Sequence, residues 1–247
     1  RDFDQLSVPD PFEAPGMRTV LAAAQEVVQR VGDEFYVQAN VDVGPFSMAG
    51  ILRGIQDFMM DLATEDPRAV HEYLEFCTEA VVAYCKAMVR TGVHGIQYGD
   101  SVASLINREQ NQEYVLPYLE RSLEAMRGSP CDLWIHICGK TNHILDLLKQ
   151  LPIQGFEVDA LVDIVEARSL LGPRMALKGN LDTTFLLTES PEAVYRATQD
   201  IIKAHGSTGG LVVSPGCGVA RMTPLENLRA MVSACREWGG GGQPQSA

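Results

Sequence analysis

The sequence predicts an α/β protein of parallel βαβ units, specifically a (β/α)8 TIM-type barrel. Strand-like and helix-like segments alternate at least six times, with no run of consecutive strands. Several of those strands end on a polar or metal-ligating residue: Asp100, His136 with Cys138, Asp159, Asp182 and Cys217. In barrels the strand C-termini and the loops after them carry the chemistry. No GxGxxG turn follows the first strand and no P-loop occurs, so the nucleotide-binding open sheets find no support. A closed barrel needs eight strands and only about six are legible.

Each element has a local reason. Residues 1–16 hold three prolines and little periodicity, and read as an irregular lead-in. Met17 to Val31 carries apolar residues at helical spacing. Glu34 to Asn40 reads as a strand and Val41 to Phe46 as a loop. Ser47 then reads as the N-cap of one helix through Leu62. Along it, Met48, Met59 and Met60 suit either core filling or the lining of a flat macrocycle. Asp66-Pro67 announces a long helix over Ala69 to Thr91.

Gly95 to Gly99 is a strand ending at Asp100, and Asn107 to Arg127 a helix that Pro117 kinks or splits. The run DLWIHICGKT, from Asp132 to Thr141, begins as a strand, and a helix is expected over Thr141 to Leu151. The alternation continues with a strand over Phe156 to Asp159 and a helix over Ala160 to Leu171. A strand follows over Met175 to Asn180, with Asp182 at its end, and then a helix from Ser190-Pro191-Glu192 to His205. Gly210 to Ser214 is the last strand. Thr223-Pro224-Leu225-Glu226 supplies N-cap, N1 proline and an N3 glutamate for the final helix. Residues 239–247, GGGGQPQSA, read as a flexible tail.

At 247 residues, 46% apolar and 21% charged, the chain has the make-up of one globular barrel domain spanning 1–247. No apolar run approaches the ~20 residues of a membrane helix. A net charge of -12 repels phosphate backbones, which argues against nucleic acid as a partner. The acidic, proline-rich start is unlike a signal peptide. Six cysteines are too few for a disulfide scaffold, so a reducing, cytoplasmic setting is expected.

On an extended strand His136 and Cys138 project to one face, and an imidazole beside a thiolate makes half of a zinc site. Cys217 sits in an SPGCG loop after another strand. Parallel strands would bring it to the same rim, giving a Cys2His set with an open fourth position, as in catalytic zinc centres. Taken singly, a buried Cys or His is usually core, and Cys77 and Cys85 on the long helix read that way. Cys131 and Cys235 read as near-surface or helix-packing residues. His71, His94 and His205 have no partner spacing. Asp100 and Asp182 could hold a substrate group or orient a metal-bound histidine, and Asp182 could equally cap a helix starting at Thr183.

HICGKT, KGNLD and SPGCGVARMTPLENLRAMV together resemble the uroporphyrinogen decarboxylase superfamily. The nearest likeness is to its corrinoid-dependent branch, the methylcobamide:coenzyme M methyltransferases, over about Gly44 to Trp238. The resemblance implies a (β/α)8 barrel, with further residues ahead of those read here that would supply its first βα unit or units. It also implies zinc on His136, Cys138 and Cys217, and methyl transfer between a corrinoid-binding protein and a small acceptor. Coenzyme M, another thiol or tetrahydrofolate would suit as acceptor. The runner-up is a uroporphyrinogen decarboxylase-like enzyme with Asp100 facing pyrrole nitrogens, although the arginine-rich motif of such enzymes is absent from residues 1–40. A third reading closes the fourth metal position with Glu157 or Asp159.

Overall fold

The computed structural model describes residues 5–41, 43–205 and 209–238; the expected tail at 239–247 lies outside the described residues. The chain packs as two units, residues 1–137 with 150–154, and residues 138–149 with 155–247.

In the first unit, α1 (Pro15–Val31) starts with proline in its first turn, where a missing N–H costs nothing. The strand expected over Glu34 to Asn40 shortens to β1 (Gln38–Asn40), because the Glu34 and Phe35 amides bond back to the Val31 carbonyl. The single helix expected from Ser47 is two, α2 (Pro45–Arg53) and α3 (Ile55–Thr64). They are separated at Gly54, whose φ of 90° lies outside the helical region. Nor is Ser47 a cap: its hydroxyl oxygen accepts from Val102 N at 3.0 Å.

Asp66 does cap α4 (Pro67–Val89), accepting from Arg68 N at 3.0 Å. Leu74, Cys77, Val81, Cys85 and Met88 form that helix's buried face at spacings of three and four. After β2 (Gly95–Gly99) and a short turn come α5 (Arg108–Gln110), a widened turn over Asn111–Val115, and α6 (Leu116–Glu124). The ladder widens just ahead of Pro117, which has no N–H to give to the preceding turn. Strand β3 (Asp132–His136) completes the unit. The neighbouring Cys131 is buried rather than near the surface. β1, β2 and β3 pair in parallel, with Gln97 opposite both Asn40 and Trp134.

In the second unit, the helix expected over Thr141 to Leu151 is one turn, α7 (Leu145–Leu148). Pro152 disfavours helix at the residue before it, and the Asn142 amide reaches Glu166 at 2.6 Å. Strand β4 (Gly155–Glu157) leads into a turn, and α8 (Ile164–Leu171) begins later than expected because Asp163, not Ala160, is its cap. Then follow β5 (Ala176–Leu181), α9 (Thr183–Thr188), α10 (Pro191–His205), β6 (Leu211–Pro215) and α11 (Leu225–Trp238).

α11 starts beyond Thr223, whose hydroxyl finds no hydrogen-bond partner among the described residues. His205 Nε2 accepts from Arg168 Nη2 at 2.8 Å. β4, β5 and β6 are parallel, with Glu157 opposite Lys178 and Asn180 opposite Ser214. Leu177, Gly179 and Leu181 are the buried face of β5, and Leu181 packs on Leu186 and Val194. Lys178 and Asn180 therefore face the other way. No helix among the described residues is long and apolar enough to cross a membrane.

The Asp66 cap gives a direct test of this packing. Asp66→Ala is expected to cost about 1 kcal/mol, read from the urea midpoint, since it removes one helix-capping acceptor.

Candidate metal centre

Every polar residue that the sequence places at a strand end lies at the C-terminal end of a parallel strand. Asp100 follows β2, His136 ends β3, Asp159 stands just past β4, Asp182 follows β5 and Cys217 follows β6. They divide into two kinds by what their side chains touch.

Asp100 and Asp182 hold the chain's own backbone. Asp100 is fully buried, and its Oδ1 accepts from Ser47 N at 2.7 Å, with the Phe46 amide and the Ser47 hydroxyl also donating to the carboxylate. It caps the start of α2 from a distance. Gly44 is needed for this, because a Cβ there would stand 2.4 Å from Asp100 Oδ2. Asp182 Oδ1 accepts from Phe185 N at 2.7 Å, the capping role that its sequence position allowed.

Cys138, Asp159 and Cys217 converge instead. Their sulfurs and a carboxylate oxygen all lie within 4.8 Å of one another. The two sulfurs, 79 residues apart in sequence, are separated by 3.5 Å. A disulfide would hold them at about 2.05 Å. Two thiolates about 2.3 Å from one tetrahedral zinc stand about 3.8 Å apart, so the spacing fits two ligands of one ion. His136, buried and joined to Cys138 by Ile137 alone, precedes this trio, and the four make a set of residue types able to hold a metal ion.

Asp159 is the member that strand-end reasoning left in the background. Its Oδ2 accepts from Gly139 N at 2.8 Å and its Oδ1 from Leu161 N at 2.9 Å, so both oxygens are fixed. An Asp two residues beyond a strand, ahead of Asp163 as the true cap, was the sequence signal for it. One strand step back, Lys178 Nζ donates to Glu157 Oε1 at 2.8 Å.

The profile of the uroporphyrinogen decarboxylase family matches residues 1–238. The chain belongs to the uroporphyrinogen decarboxylase family. Within that family it is 32% identical over 237 residues to a methylated-thiol–coenzyme M methyltransferase of Methanosarcina mazei, covering 95% of this chain and 62% of the relative. It is also 32% identical to a methylcobamide:CoM methyltransferase, MtbA, of Methanosarcina acetivorans, over 89% of this chain and 63% of that one. A uroporphyrinogen decarboxylase of Anaeromyxobacter dehalogenans is 31% identical, over 96% and 68%. Among solved structures, a methyltransferase from Methanosarcina mazei superposes with a TM-score of 0.87 at 26% identity, over 97% of this chain and 70% of that one. This likeness confirms the TIM-type α/β fold of the family. The chain thus spans less than two thirds of the length of the first two relatives.

Asp100 carries a pH signature. Burial pushes its carboxyl from 3.8 up to about 6, against hydrogen bonds from Ser47 and Phe46 that pull it down. A carboxyl raised on folding contributes stability that is full below its unfolded value and lost as pH rises through the folded one. That window is about pH 4 to 6, and the rise corresponds to roughly 3 kcal/mol. Urea melts across this window should show wild type losing stability relative to Asp100→Asn as pH increases; parallel pH profiles would contradict the burial argument.

Proposed function

We propose that the chain is a zinc-dependent, corrinoid-dependent methyltransferase. It would take a methyl group from a corrinoid carried by a partner protein and give it to a small acceptor, most simply a thiol such as coenzyme M. The observation that carries this reading is the pair of thiols 3.5 Å apart beside Asp159, at the ends of parallel strands. The names of two relatives, which act on methylcobamide or methylated thiols, support it.

His136, Cys138 and Cys217 would hold the ion, with Asp159 beside them to fill the remaining position until the acceptor thiol takes its place. Bound zinc supplies a Lewis acid that keeps a ligating acceptor thiol deprotonated at neutral pH. The chain's own residues do the rest. The Gly139 and Leu161 amides fix the Asp159 carboxylate, so that the acceptor meets one geometry. Asp100 and Asp182 act on this reading by holding α2 and α9 beside the strand ends, not by touching the reacting groups. A reducing compartment such as the cytoplasm suits a centre built on free thiols.

A tetrapyrrole decarboxylase, suggested by the decarboxylase relative, gives no task to paired thiols. Turnover of uroporphyrinogen that is indifferent to Cys217→Ser would favour that alternative.

Purified protein is expected to hold about one zinc per chain. His136→Ala, Cys138→Ser and Cys217→Ser should each weaken zinc binding by more than ~100-fold, beyond what losing an outer partner costs. Methyl transfer from methylcobalamin to a small thiol should fall with the metal. Zinc content unaffected by the three changes would sink the proposal.

A further inference from the structure

The Asp159–Val162 turn touches both cysteine loops. On one side, Asp159 Oδ2 accepts from the amide of Gly139, the residue after Cys138. On the other, Gly216, the residue before Cys217, lies so close that a Cβ there would stand 2.4 Å from Ala160 N and 3.0 Å from its Cα. The turn is thus the surface on which both thiol-bearing loops rest. Its own ladder is slight: Val162 N to Asp159 O at 3.1 Å, and Leu161 N to the Asp159 side chain.

What clamps the turn is a side chain from β5. Asn180 Nδ2 donates to Asp159 O at 3.1 Å and to Val162 O at 2.6 Å, bracing both ends of the turn at once. Only an amide or another two-hydrogen donor can serve two carbonyls in this way. A carboxylate there would face two carbonyl oxygens with nothing to donate. Gly179 makes the approach possible, since a Cβ at that position would lie 2.7 Å from Val158 O.

We propose that Asn180 is the positioning residue of the metal centre. Without ligating the metal, it holds the Asp159–Val162 turn in the place that sets the Cys138–Cys217 spacing and the aim of the Asp159 carboxylate. The inference rests on the zinc reading above and adds to it a residue outside the four-residue ligand group. Partners that orient metal ligands typically contribute 10- to 100-fold in affinity.

The test is zinc affinity by competition with a chromophoric chelator, paired with the absorption spectrum of the cobalt-substituted full chain. Asn180→Ala should weaken zinc about 10- to 100-fold and alter the sulfur-to-cobalt charge-transfer band. Leu177→Ala, on the opposite, buried face of β5, is the matched control. It should lower thermal stability yet leave affinity and spectrum as in wild type. If Asn180→Ala does not fold, Asn180→Ser, too short to span both carbonyls, takes its place. Gly216→Ala, pressing on the turn from its other side, should weaken zinc as well. Wild-type affinity and spectrum in the Asn180 variants would overturn this inference while leaving the zinc reading intact. Absence of zinc from wild type itself would overturn both.

Discussion

Parallel strand pairing is the constraint on which the rest of the second unit depends. Because β4, β5 and β6 run the same way, whatever residue follows each strand emerges at one edge. That brings Cys217 to the edge where Asp159 stands, and there its sulfur lies 3.5 Å from that of Cys138, 79 residues earlier in sequence. It also sets Asn180 level with Asp159, so that a strand side chain can brace the turn after its neighbour. The apolar alternation of β5 enforces this, since slipping by one residue would turn Asn180 into the packing layer occupied by Leu177 and Leu181.

Within that frame, carboxylates with similar positions in sequence do different work. Asp100, Asp163 and Asp182 each accept amides at a helix start through Oδ1, and the buried Oδ2 of Asp100 has no hydrogen-bond partner among the described residues. Asp159 also accepts two amides, yet a carboxylate oxygen lies beside two thiols, where one cation could be shared among the three. Two thiols and a carboxylate this close, without a disulfide, make a donor set suited to a divalent ion of borderline softness. The proposed metal reading therefore stands on the chemistry of the donors.

Much of this was legible in the sequence, because it follows from periodicity and capping. The alternation of elements, the buried Cys77 and Cys85, the Asp66 cap and the strand-end positions of His136, Cys138 and Cys217 all depend on local patterns. What was not legible depends on contacts distant in sequence. Ser47 reads as a cap until Val102 claims its hydroxyl, and Gly54 reads as an ordinary helical residue until the backbone turns there. The helix over Thr141 to Leu151 looks sound by composition, but Asn142 is drawn to Glu166 and Pro152 stops the rest. Asn180, in the middle of KGNLD, gives no hint by itself that it braces a turn formed by residues 159–162.

The central claim is that Cys138 and Cys217 are two ligands of one zinc whose remaining position accepts a substrate thiol. Zinc-edge X-ray absorption on the purified chain, with and without an added small thiol, measures this directly. The account predicts two sulfur and two lighter ligands in the free protein, rising to three sulfurs when the thiol is added. A coordination shell without two sulfurs, or one that the thiol leaves unchanged, would contradict it.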